Sequence, residues 1–312
     1  GVSPRRDLLL LITLFFIFKR EKVECLLTYT IKPNIYGSLA ALCFGIPVVN
    51  NISGLGTTFI RKSWVTWCVR KLYKLSLKRS YRIFFQNDED RELFLSGGLA
   101  RREQAITVPG SGIDLKQFSP AELRRGGGGS GVRFLLVSRL LWDKGIYEYV
   151  KCSRLVKKRY PEATFMLLGA LDDHNPVSIE RDLLDNWILE GCISYLGETE
   201  DVRPYISDAD CVVLPSYREG LPRVLLEAGA MGRPVIATRV AGCRHVVEDR
   251  VTGLLCEPRD ASSLAECVLD FIGMPLSTRQ KMGLSARRKI SEQFDERFVE
   301  NAYVKAVSDI SN

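Results

Sequence analysis

The stretch SYREGLPRVLLEAGAMGRPVIAT, residues 216–238, combines a loop, an apolar helix and a strand. Pro222 favours the first turn of a helix, where its missing N–H is not needed, and we predict a helix from there to about Met231. Glu219 lies in the loop before this helix, and Glu227 lies within its apolar second turn. Burying an ionised carboxylate is costly unless it is hydrogen-bonded, so Glu227 is either a surface residue or a group that binds a ligand.

Similar strands recur along the chain, and helix-length segments separate most of them. The predicted strands are VECLLTYT (23–30), PVVNN (47–51), RIFFQN (82–87), AITVPG (105–110), RFLLVS (133–138), TFMLLG (164–169), CISYLG (192–197), DCVVLPS (210–216) and PVIAT (234–238). This alternation predicts an α/β protein whose parallel sheets are covered by helices on both faces.

The alternation is interrupted once, at the glycine-rich segment AELRRGGGGSGVRF. Four consecutive glycines do not fit a regular element, so we place a domain boundary there, and the segment also resembles a laboratory linker. The predicted organisation is an incomplete N-terminal domain (1–122), a linker (123–131), a C-terminal domain (132–290) and a terminal helix (291–312) that could pack back on the N-terminal domain. Two such doubly wound domains would face a cleft, where these folds bind ligands.

The composition is that of a soluble globular protein, with 46% hydrophobic and 26% charged residues in 312. The net charge of +7 is consistent with an anionic partner or with solubility alone. Nine cysteines without a CxxC pair indicate reduced thiols and a cytosolic setting. Two histidines are too few for a His-rich metal site.

The N-terminal apolar run Leu8–Phe18 is shorter than the roughly 20 residues that a membrane span needs. Charged residues follow it, where a signal peptide would have small residues at a cleavage site. We therefore interpret the run as a helix that packs on a sheet.

A second group of polar residues follows the strand at 133–138. Arg139 lies at its end and Lys144 near the start of the next helix. A cation at a helix N-terminus opposes the helix dipole, and a shared anionic ligand such as a diphosphate would remove this conflict. The alternative is a surface ion pair of Asp143 with Lys144 or Arg139.

Together these motifs resemble the donor half of glycosyltransferase family 4. The resemblance rests on Arg139-x4-Lys144-Gly145, on Gly169, on Glu219-Gly220-Leu221-Pro222-x4-Glu227-Ala228, and on Gly232-x-Pro234-Val235-Ile236-Ala237. It implies a retaining, nucleotide-sugar-dependent enzyme of the GT-B fold, with two Rossmann-like domains. The family's first strand and glycine loop would precede residue 1, so the resemblance also implies a truncated N-terminal domain and leaves the activity of this chain open.

The resemblance implies a role for each donor-side residue. Arg139 and Lys144 would neutralise the donor diphosphate, Glu219 would contact the sugar, and Glu227 would bind the ribose diol. The remaining donor-binding positions are Gly169, Gly220, Leu221 and Pro222. Neither a metal nor a cofactor is expected.

The N-terminal half resembles a narrower group through TYTIKPNIYGSLAA (28–41) and NNISGLGTTF (50–59). These are bacterial enzymes that add hexose or N-acetylhexosamine to a polyprenyl-diphosphate-linked sugar during lipopolysaccharide and other surface-polysaccharide assembly. The resemblance implies that Lys32, Asn34, Gly54 and Gly56 line the acceptor side of the cleft. Relatives often have a histidine near Thr28 and Tyr29, and we assign no catalytic histidine here.

A basic, aromatic helix is predicted at 60–82. It contains eight Lys or Arg, no acidic residue, and Trp64, Trp67 and Tyr73. This composition suits the anionic surface of a membrane, or else a solvated basic face with a buried aromatic stripe. With a lipid-linked acceptor, we expect a cytoplasmic enzyme at the inner face of the membrane and no nucleic-acid partner.

Two motifs are interpreted as turns rather than as metal sites. Asp208-Ala209-Asp210 precedes a strand instead of ending one, and LDDHNP (171–176) has turn-forming residues before proline. His174 is expected in a loop near the nucleotide pocket. The alternative functions are transfer to a soluble acceptor, nucleotide-sugar epimerisation, and an inactive nucleotide-binding fragment or regulatory module.

Overall fold

The computed structural model describes residues 4–54, 64–120, 131–172, 175 and 177–311. The chain divides into two units, Gly1–Gly112 with Glu296–Asn312 and Ile113–Asp295. Most of the predicted linker lies outside the described residues. The first unit ends at Gly112 rather than at residue 122, because Ile113 and Phe118 are buried in the core of the second unit.

The first unit is built on a four-stranded parallel sheet in the order β1-β2-β3-β4. Its elements up to residue 112 are α1 (Pro4–Arg20), β1 (Leu26–Tyr29), a π-helical turn (Pro33–Gly37), α2 (Ser38–Leu42), β2 (Val48–Ile52), α3 (Trp64–Ser76), a 3-10 turn (Leu77–Arg79), β3 (Arg82–Phe85), α4 (Asp88–Ser96) and β4 (Ala105–Thr107).

The helix predicted at 60–82 is shorter in the structure. Residues 60–63 lie outside the described part, and α3 ends at Ser76 before a 3-10 turn. Ser80 is extended, and the Tyr81 N–H donates to the carbonyl oxygen of Val48 at 2.8 Å. This sheet hydrogen bond draws the chain away from the helix axis, so Arg82 begins β3 instead of ending α3.

The second unit contains a six-stranded parallel sheet in the order β10-β9-β8-β5-β6-β7. Its elements are β5 (Arg133–Val137), a 3-10 turn (Trp142–Lys144), α5 (Ile146–Lys157), β6 (Thr164–Leu168), α6 (Arg181–Leu189), β7 (Ser194–Tyr195), α7 (Arg203–Asp208), β8 (Cys211–Leu214), α8 (Arg223–Ala230), β9 (Val235–Thr238), α9 (Ala241–Val246), β10 (Gly253–Cys256), α10 (Ala261–Gly273) and α11 (Leu276–Gln293).

All nine predicted strands are present, and the helix predicted after Pro222 is confirmed as α8. Strand β10 was missed, although its four residues are buried on both faces of the sheet. The apolar run GLLC between Gly253 and Pro258 was the available signal. The predicted α/β class with two parallel, Rossmann-like sheets is therefore confirmed.

The last helix, α12 (Glu296–Ser311), belongs to the first unit. Ala306 packs in a cluster with Val49 of β2 and Phe84 of β3. It begins at Glu296 rather than at residue 291, because the chain at Asp295 pairs with Ile113 as a short parallel bridge. This bridge ends α11 and separates it from α12.

The order of the second sheet reverses between β5 and β8, which are neighbours in space but far apart in sequence. In open parallel sheets, ligands bind at such a switch point, outside the carboxyl ends of the two strands. The loops after β5 and β8 are therefore where a site is expected in this unit, and both carry charged residues from the sequence motifs.

Candidate functional site

The loops after β5 and β8 are in direct contact. Gly145, which joins the 3-10 turn to α5, has φ +72°, and a Cβ at this position would lie 2.1 Å from the Pro215 carbonyl oxygen. The Tyr217 N–H donates to the carbonyl oxygen of Asp143 at 2.8 Å. Because only glycine permits this approach, the sequence Lys144-Gly145 fixes the lysine close to the β8 loop.

Lys144 and Glu219 form an ion pair across the two loops. The Lys144 Nζ atom lies 2.6 Å from Glu219 Oε1, and the side chains are 21% and 13% exposed. The pairing of Lys144 with Asp143 that the sequence left open is not the one formed. These two predicted donor-side residues are thus adjacent at the switch point and still accessible.

Arg139 lies at the end of β5 with an exposed side chain. Within the described part of the chain it has no ion-pair partner. Nearby, Asp143 Oδ1 is buried without a hydrogen-bond partner among the described residues. The β5 loop therefore presents one unpaired guanidinium beside the Lys144–Glu219 pair.

Glu227 is 9% exposed in the second turn of α8. Arg223, one turn earlier, donates from Nε to Glu227 Oε1 at 3.0 Å. Burial raises the pKa of the Glu227 carboxyl above its ordinary value, and the Arg223 charge offsets part of this shift. The sequence left a surface role open, but the structure places this carboxylate in a largely buried position.

A cavity of about 280 Å³ adjoins Glu227 within the second unit. Its other lining residues are Gln117, Phe118, Glu200, Asp201, Val202, Arg203 and Arg223. Arg203 is held by Asp201 at 2.7 Å, so the cavity wall near Glu227 contains a preformed ion pair. The 200–203 segment was not predicted as part of a site, because its residues carry no recognisable motif.

Tyr217 and Glu148 brace the two loops and were missed in the sequence. The Tyr217 hydroxyl lies 2.8 and 2.9 Å from the two carboxylate oxygens of Glu148, which is buried. Burial and this carboxylate raise the pKa of Tyr217, and the Arg259 guanidinium lies 4.7 Å from its ring centroid.

Glycines permit close backbone approach at the remaining donor-side positions. Gly169 has φ +149°, and a Cβ there would lie 1.7 Å from the Ser138 carbonyl oxygen. Gly220 is approached by Gly242 at the start of α9, where a Cβ would lie 2.4 Å from the Gly220 carbonyl oxygen. Leu221 packs against the core, and Pro222 is the N-cap of α8.

The predicted acceptor-side residues of the first unit differ in burial and in their partners. Lys32 Nζ lies 2.6 Å from Asp7 Oδ1 of α1. Asn34 is 1% exposed and donates to the Asn51 carbonyl oxygen at 2.7 Å. Gly54 follows β2 with φ +122°, and Gly56 lies outside the described residues.

Asn34 belongs to a buried network of neutral polar groups. Asn50 Nδ2 donates to Thr28 Oγ1 and to Ser38 Oγ, both at 2.8 Å, and Thr28 Oγ1 donates to Asn34 Oδ1 at 2.6 Å. Asn51 Nδ2 donates to the Tyr303 hydroxyl at 2.6 Å. This network, at the carboxyl ends of β1 and β2, connects the sheet to α2 and α12.

The Asp208-Ala209-Asp210 motif lies at the amino-terminal edge of the second sheet. Asp208 pairs with Arg133 Nη1 at 2.5 Å, and Asp210 Oδ2 accepts from the Arg133 N–H at 2.9 Å. Asp208 ends α7 rather than lying in a turn, and Asp210 directly precedes β8, so both carboxylates bind Arg133 where β5 and β8 begin. Asn175 accepts from the Val177 N–H in a turn, and His174 lies outside the described residues.

Among the described residues, no group of three or more His, Cys, Asp or Glu side chains is arranged to hold a metal ion. In the same part of the chain, no helix has both the length and the apolar character that crossing a bilayer requires.

Residues 131–273 match the family model described as Glycosyl transferases group 1. The chain is 26% identical to the N,N'-diacetylbacillosaminyl-diphospho-undecaprenol alpha-1,3-N-acetylgalactosaminyltransferase of Campylobacter jejuni. The aligned 306 residues cover 93% of this chain and 78% of that protein. The chain is also 26% identical to the UDP-Gal:alpha-D-GlcNAc-diphosphoundecaprenol alpha-1,3-galactosyltransferase of Escherichia coli. This alignment covers 86% of this chain and 71% of that protein.

Solved structures with low sequence identity share the fold. Sucrose-phosphate synthase from Thermosynechococcus elongatus has a TM-score of 0.82 at 21% identity and covers 99% of this chain and 81% of its own. HepE of Anabaena in complex with UDP has a TM-score of 0.76 at 19% identity, covering 96% and 82%. These similarities confirm the predicted GT-B fold.

Proposed function

We propose that this chain, a glycosyltransferase whose residues 131–273 match the Glycosyl transferases group 1 model, transfers a hexosyl or N-acetylhexosaminyl unit from a nucleotide diphosphate sugar. The donor nucleotide is UDP, and the acceptor is a polyprenyl-diphosphate-linked glycan. The observation that carries the donor assignment is the Lys144–Glu219 pair at the switch point of the second sheet. The acceptor assignment is supported by the two bacterial relatives, whose names both specify a diphospho-undecaprenol acceptor.

Lys144 and Arg139 bind the donor diphosphate. Two cations at the carboxyl end of β5 match the charge of a diphosphate, and an arginine fork can bind two of its oxygens at once. As the leaving group departs, negative charge develops on its phosphate oxygens, and Lys144 stabilises that charge. Glu219 holds the lysine in place and contacts the donor sugar through its second carboxylate oxygen.

Glu227 binds the two vicinal hydroxyls of the ribose. A carboxylate accepts a hydrogen bond from each hydroxyl, and such bonds are strong where water is largely excluded. The adjoining cavity of about 280 Å³ receives the nucleoside. Arg223 compensates the charge of this buried carboxylate.

The reaction proceeds with retention of the anomeric configuration. The bond between the sugar C1 and the donor phosphate oxygen breaks, while a bond from C1 to the acceptor hydroxyl oxygen forms on the same face. The acceptor proton passes to an oxygen of the leaving phosphate. No metal takes part in this proposal, since Arg139 and Lys144 supply the positive charge.

Helix α3 contacts an anionic membrane surface. Trp67 is 62% exposed, and Leu75 is exposed as well, while Tyr73 is buried in the core. Lys71 lies 5.5 Å from the Trp67 ring centroid, so basic and apolar groups share the outward face. This combination suits the headgroup region of a bilayer, where rings and ammonium groups are both favourable.

A donor screen tests the proposed reaction. The protein is incubated with UDP- and GDP-sugars and a short polyprenyl-diphosphate glycan, with and without EDTA, and the product anomer is read by NMR. We expect transfer from a UDP-sugar, with retention and without an effect of EDTA. Transfer lost with EDTA, or an inverted product, would contradict the mechanism, and UDP binding without any transfer would favour the fragment alternative.

Vesicle flotation tests the membrane contact. Lys71→Gln/Lys74→Gln/Lys78→Gln should reduce binding to vesicles that contain phosphatidylglycerol. The matched control Lys116→Gln/Lys158→Gln/Lys281→Gln removes the same charge from exposed positions of the second unit. Equal flotation of the two triple variants would contradict this part of the proposal.

A further inference from the structure

The first unit contains a cavity at the end of its sheet opposite to the acceptor-side residues. The cavity has a volume of about 430 Å³ and lies where β2, β3 and β4 begin, next to Val48, Arg82 and Gln104. Gly54, by contrast, follows the carboxyl end of β2. Because parallel strands point the same way, residues at the amino ends of β3 and β4 lie at the other edge of the sheet from Gly54. Ser38 also lines the cavity and accepts from Asn50 Nδ2 at 2.8 Å, so the cavity borders the buried network that contains Asn34. The arginines of the cavity are not among the residues assigned to the proposed transfer site.

Three arginines from separate segments line this cavity. Arg79 ends the 3-10 turn after α3, Arg82 begins β3, and Arg101 lies in the turn before β4. The sequence had assigned Arg79 and Arg82 to the basic helix. The structure instead removes both from the helix and directs them to the base of the sheet, where Arg101 joins them.

The positive charge of the cavity is only partly compensated. Arg82 Nη1 donates to the carbonyl oxygens of Tyr81 and Glu103, at 3.2 and 3.4 Å, and its guanidinium lies 4.7 Å from the Tyr81 ring centroid. These partners position the guanidinium without neutralising it. Among the described residues that line the cavity, Glu103 is the one acidic residue, and it pairs with Arg101 at 3.3 Å.

The rest of the lining combines neutral polar groups with the apolar residues Leu42, Ile46, Pro47 and Val48. Gln104 is buried and its amide donates to the Ser80 carbonyl oxygen, while its Oε1 accepts from Arg101 Nε at 3.1 Å. The Ser80 hydroxyl is buried without a hydrogen-bond partner among the described residues. Arg79 is exposed and has no ion-pair partner in that part of the chain. The groups present are thus mostly hydrogen-bond donors, as an anion requires.

We infer that this cavity, lined by Arg79, Arg82 and Arg101, is a second anion site that binds a phosphate-bearing ligand. Guanidinium groups bind phosphate through paired hydrogen bonds, and a volume of about 430 Å³ is large enough for more than a single phosphate group. The phosphate belongs either to the headgroup of an anionic lipid or to a soluble metabolite. Both sources present the same chemistry to the three arginines.

Calorimetric titration with inorganic pyrophosphate tests the soluble source, with UDP held at saturation so that the donor site is occupied. The test variant is Arg79→Gln/Arg101→Gln, which spares the strand residue Arg82. The control is Arg159→Gln/Arg288→Gln, which removes the same charge at exposed positions of the second unit. If the ligand is soluble, the test variant should bind pyrophosphate at least about tenfold more weakly, because each lost contact is a charge-assisted hydrogen bond.

Flotation with vesicles of 30% phosphatidylglycerol in phosphatidylcholine tests the lipid source. If the ligand is a headgroup, the same test variant should float less than the control, while pyrophosphate binding is weak in all three proteins. A specific loss in either assay supports the site and identifies the source. Test and control variants that behave alike in both assays, with unfolding midpoints equal to that of the unaltered protein, would overturn the inference. Sugar transfer is measured separately, and its failure would leave this result unaffected.

Discussion

In the second unit, the loops at the carboxyl ends of β5 and β8 hold charged side chains that remain partly accessible, such as Lys144 and Glu219. In the first unit, the carboxyl ends of β1 and β2 carry neutral amides and hydroxyls that are buried and bonded to one another, with Asn50 at the centre. Both sheets place polar residues where a parallel sheet binds ligands. Among the described residues, the second unit has the partly accessible Lys144–Glu219 pair at these ends, whereas in the first unit Lys32, after β1, pairs with Asp7 of α1 beside the neutral network. We therefore propose that the donor binds in the second unit and that the network in the first unit mainly stabilises the fold.

The largest expected effect tests the charged side of this comparison. Lys144→Gln should lower kcat by about 10²- to 10³-fold, because it removes a cation from the developing phosphate charge. It also leaves Glu219 without its partner. The measurement is transfer from the UDP-sugar, with Lys158→Gln as the control. A kcat within about threefold of that of the unaltered enzyme would contradict a role for Lys144 in stabilising the leaving phosphate.

Replacing Glu227 separates binding from stability. Glu227→Gln should weaken UDP binding by about 10- to 100-fold, because charge-assisted hydrogen bonds to the ribose are lost. Burial raises the pKa of this carboxyl in the folded state, so ionised Glu227 lowers stability at pH values above the ordinary value of 4.5. The variant should therefore unfold at an equal or higher temperature at pH 7.5.

That stability difference should shrink as the pH falls toward 4.5, where Glu227 becomes protonated and resembles glutamine. Calorimetric binding of UDP and unfolding midpoints at several pH values measure the two effects. A midpoint that falls at neutral pH would show that the pair with Arg223 stabilises the fold by more than burial costs.

The neutral side of the comparison is tested at Asn50. Asn50→Ala removes the donor that Thr28 and Ser38 share, and buried groups left without partners cost about 1 to 3 kcal/mol each. The free energy of unfolding in urea should fall by about 2 kcal/mol, while UDP binding stays unchanged. Asn186→Ala at an exposed position is the control. Lost transfer with unchanged stability would instead assign the network to acceptor binding.

The smallest expected effect concerns a residue that positions the charged loop. Tyr217→Phe removes the hydrogen bonds to Glu148 and should lower kcat about tenfold with little change in the donor KM, because Lys144 is then held less firmly. Tyr147→Phe, at an exposed position of α5 next to Glu148, is the matched control.

The single variant Glu148→Gln keeps Tyr217 and an acceptor for its hydroxyl. It should therefore retain most of the kcat of the unaltered enzyme. A loss of stability with unchanged kcat in Tyr217→Phe would limit the pair to a structural role.

The sequence by itself determined the α/β class, the nine strands that were predicted, and the residues of the charged loops. Strands that are buried on both faces are continuous apolar runs, and helices after them begin at residues such as Pro222, so local chemistry is sufficient for these features. The resemblance to glycosyltransferase family 4 then implied roles for Lys144, Glu219 and Glu227, and these roles stay a prediction. Strand β10 escaped detection because four apolar residues do not distinguish a strand from a helix turn.

The partners of each charge were decided only by the tertiary structure. Lys144 pairs with Glu219, 75 positions away, and Tyr217 bonds to Glu148 on another element, contacts that no local pattern encodes. The end of α3 is also a tertiary effect, because the sheet hydrogen bond of Tyr81 competes with helix propensity and takes Arg79 and Arg82 out of the helix. Periodicity specifies which face of an element is apolar, whereas the neighbour of a polar side chain depends on how distant segments pack.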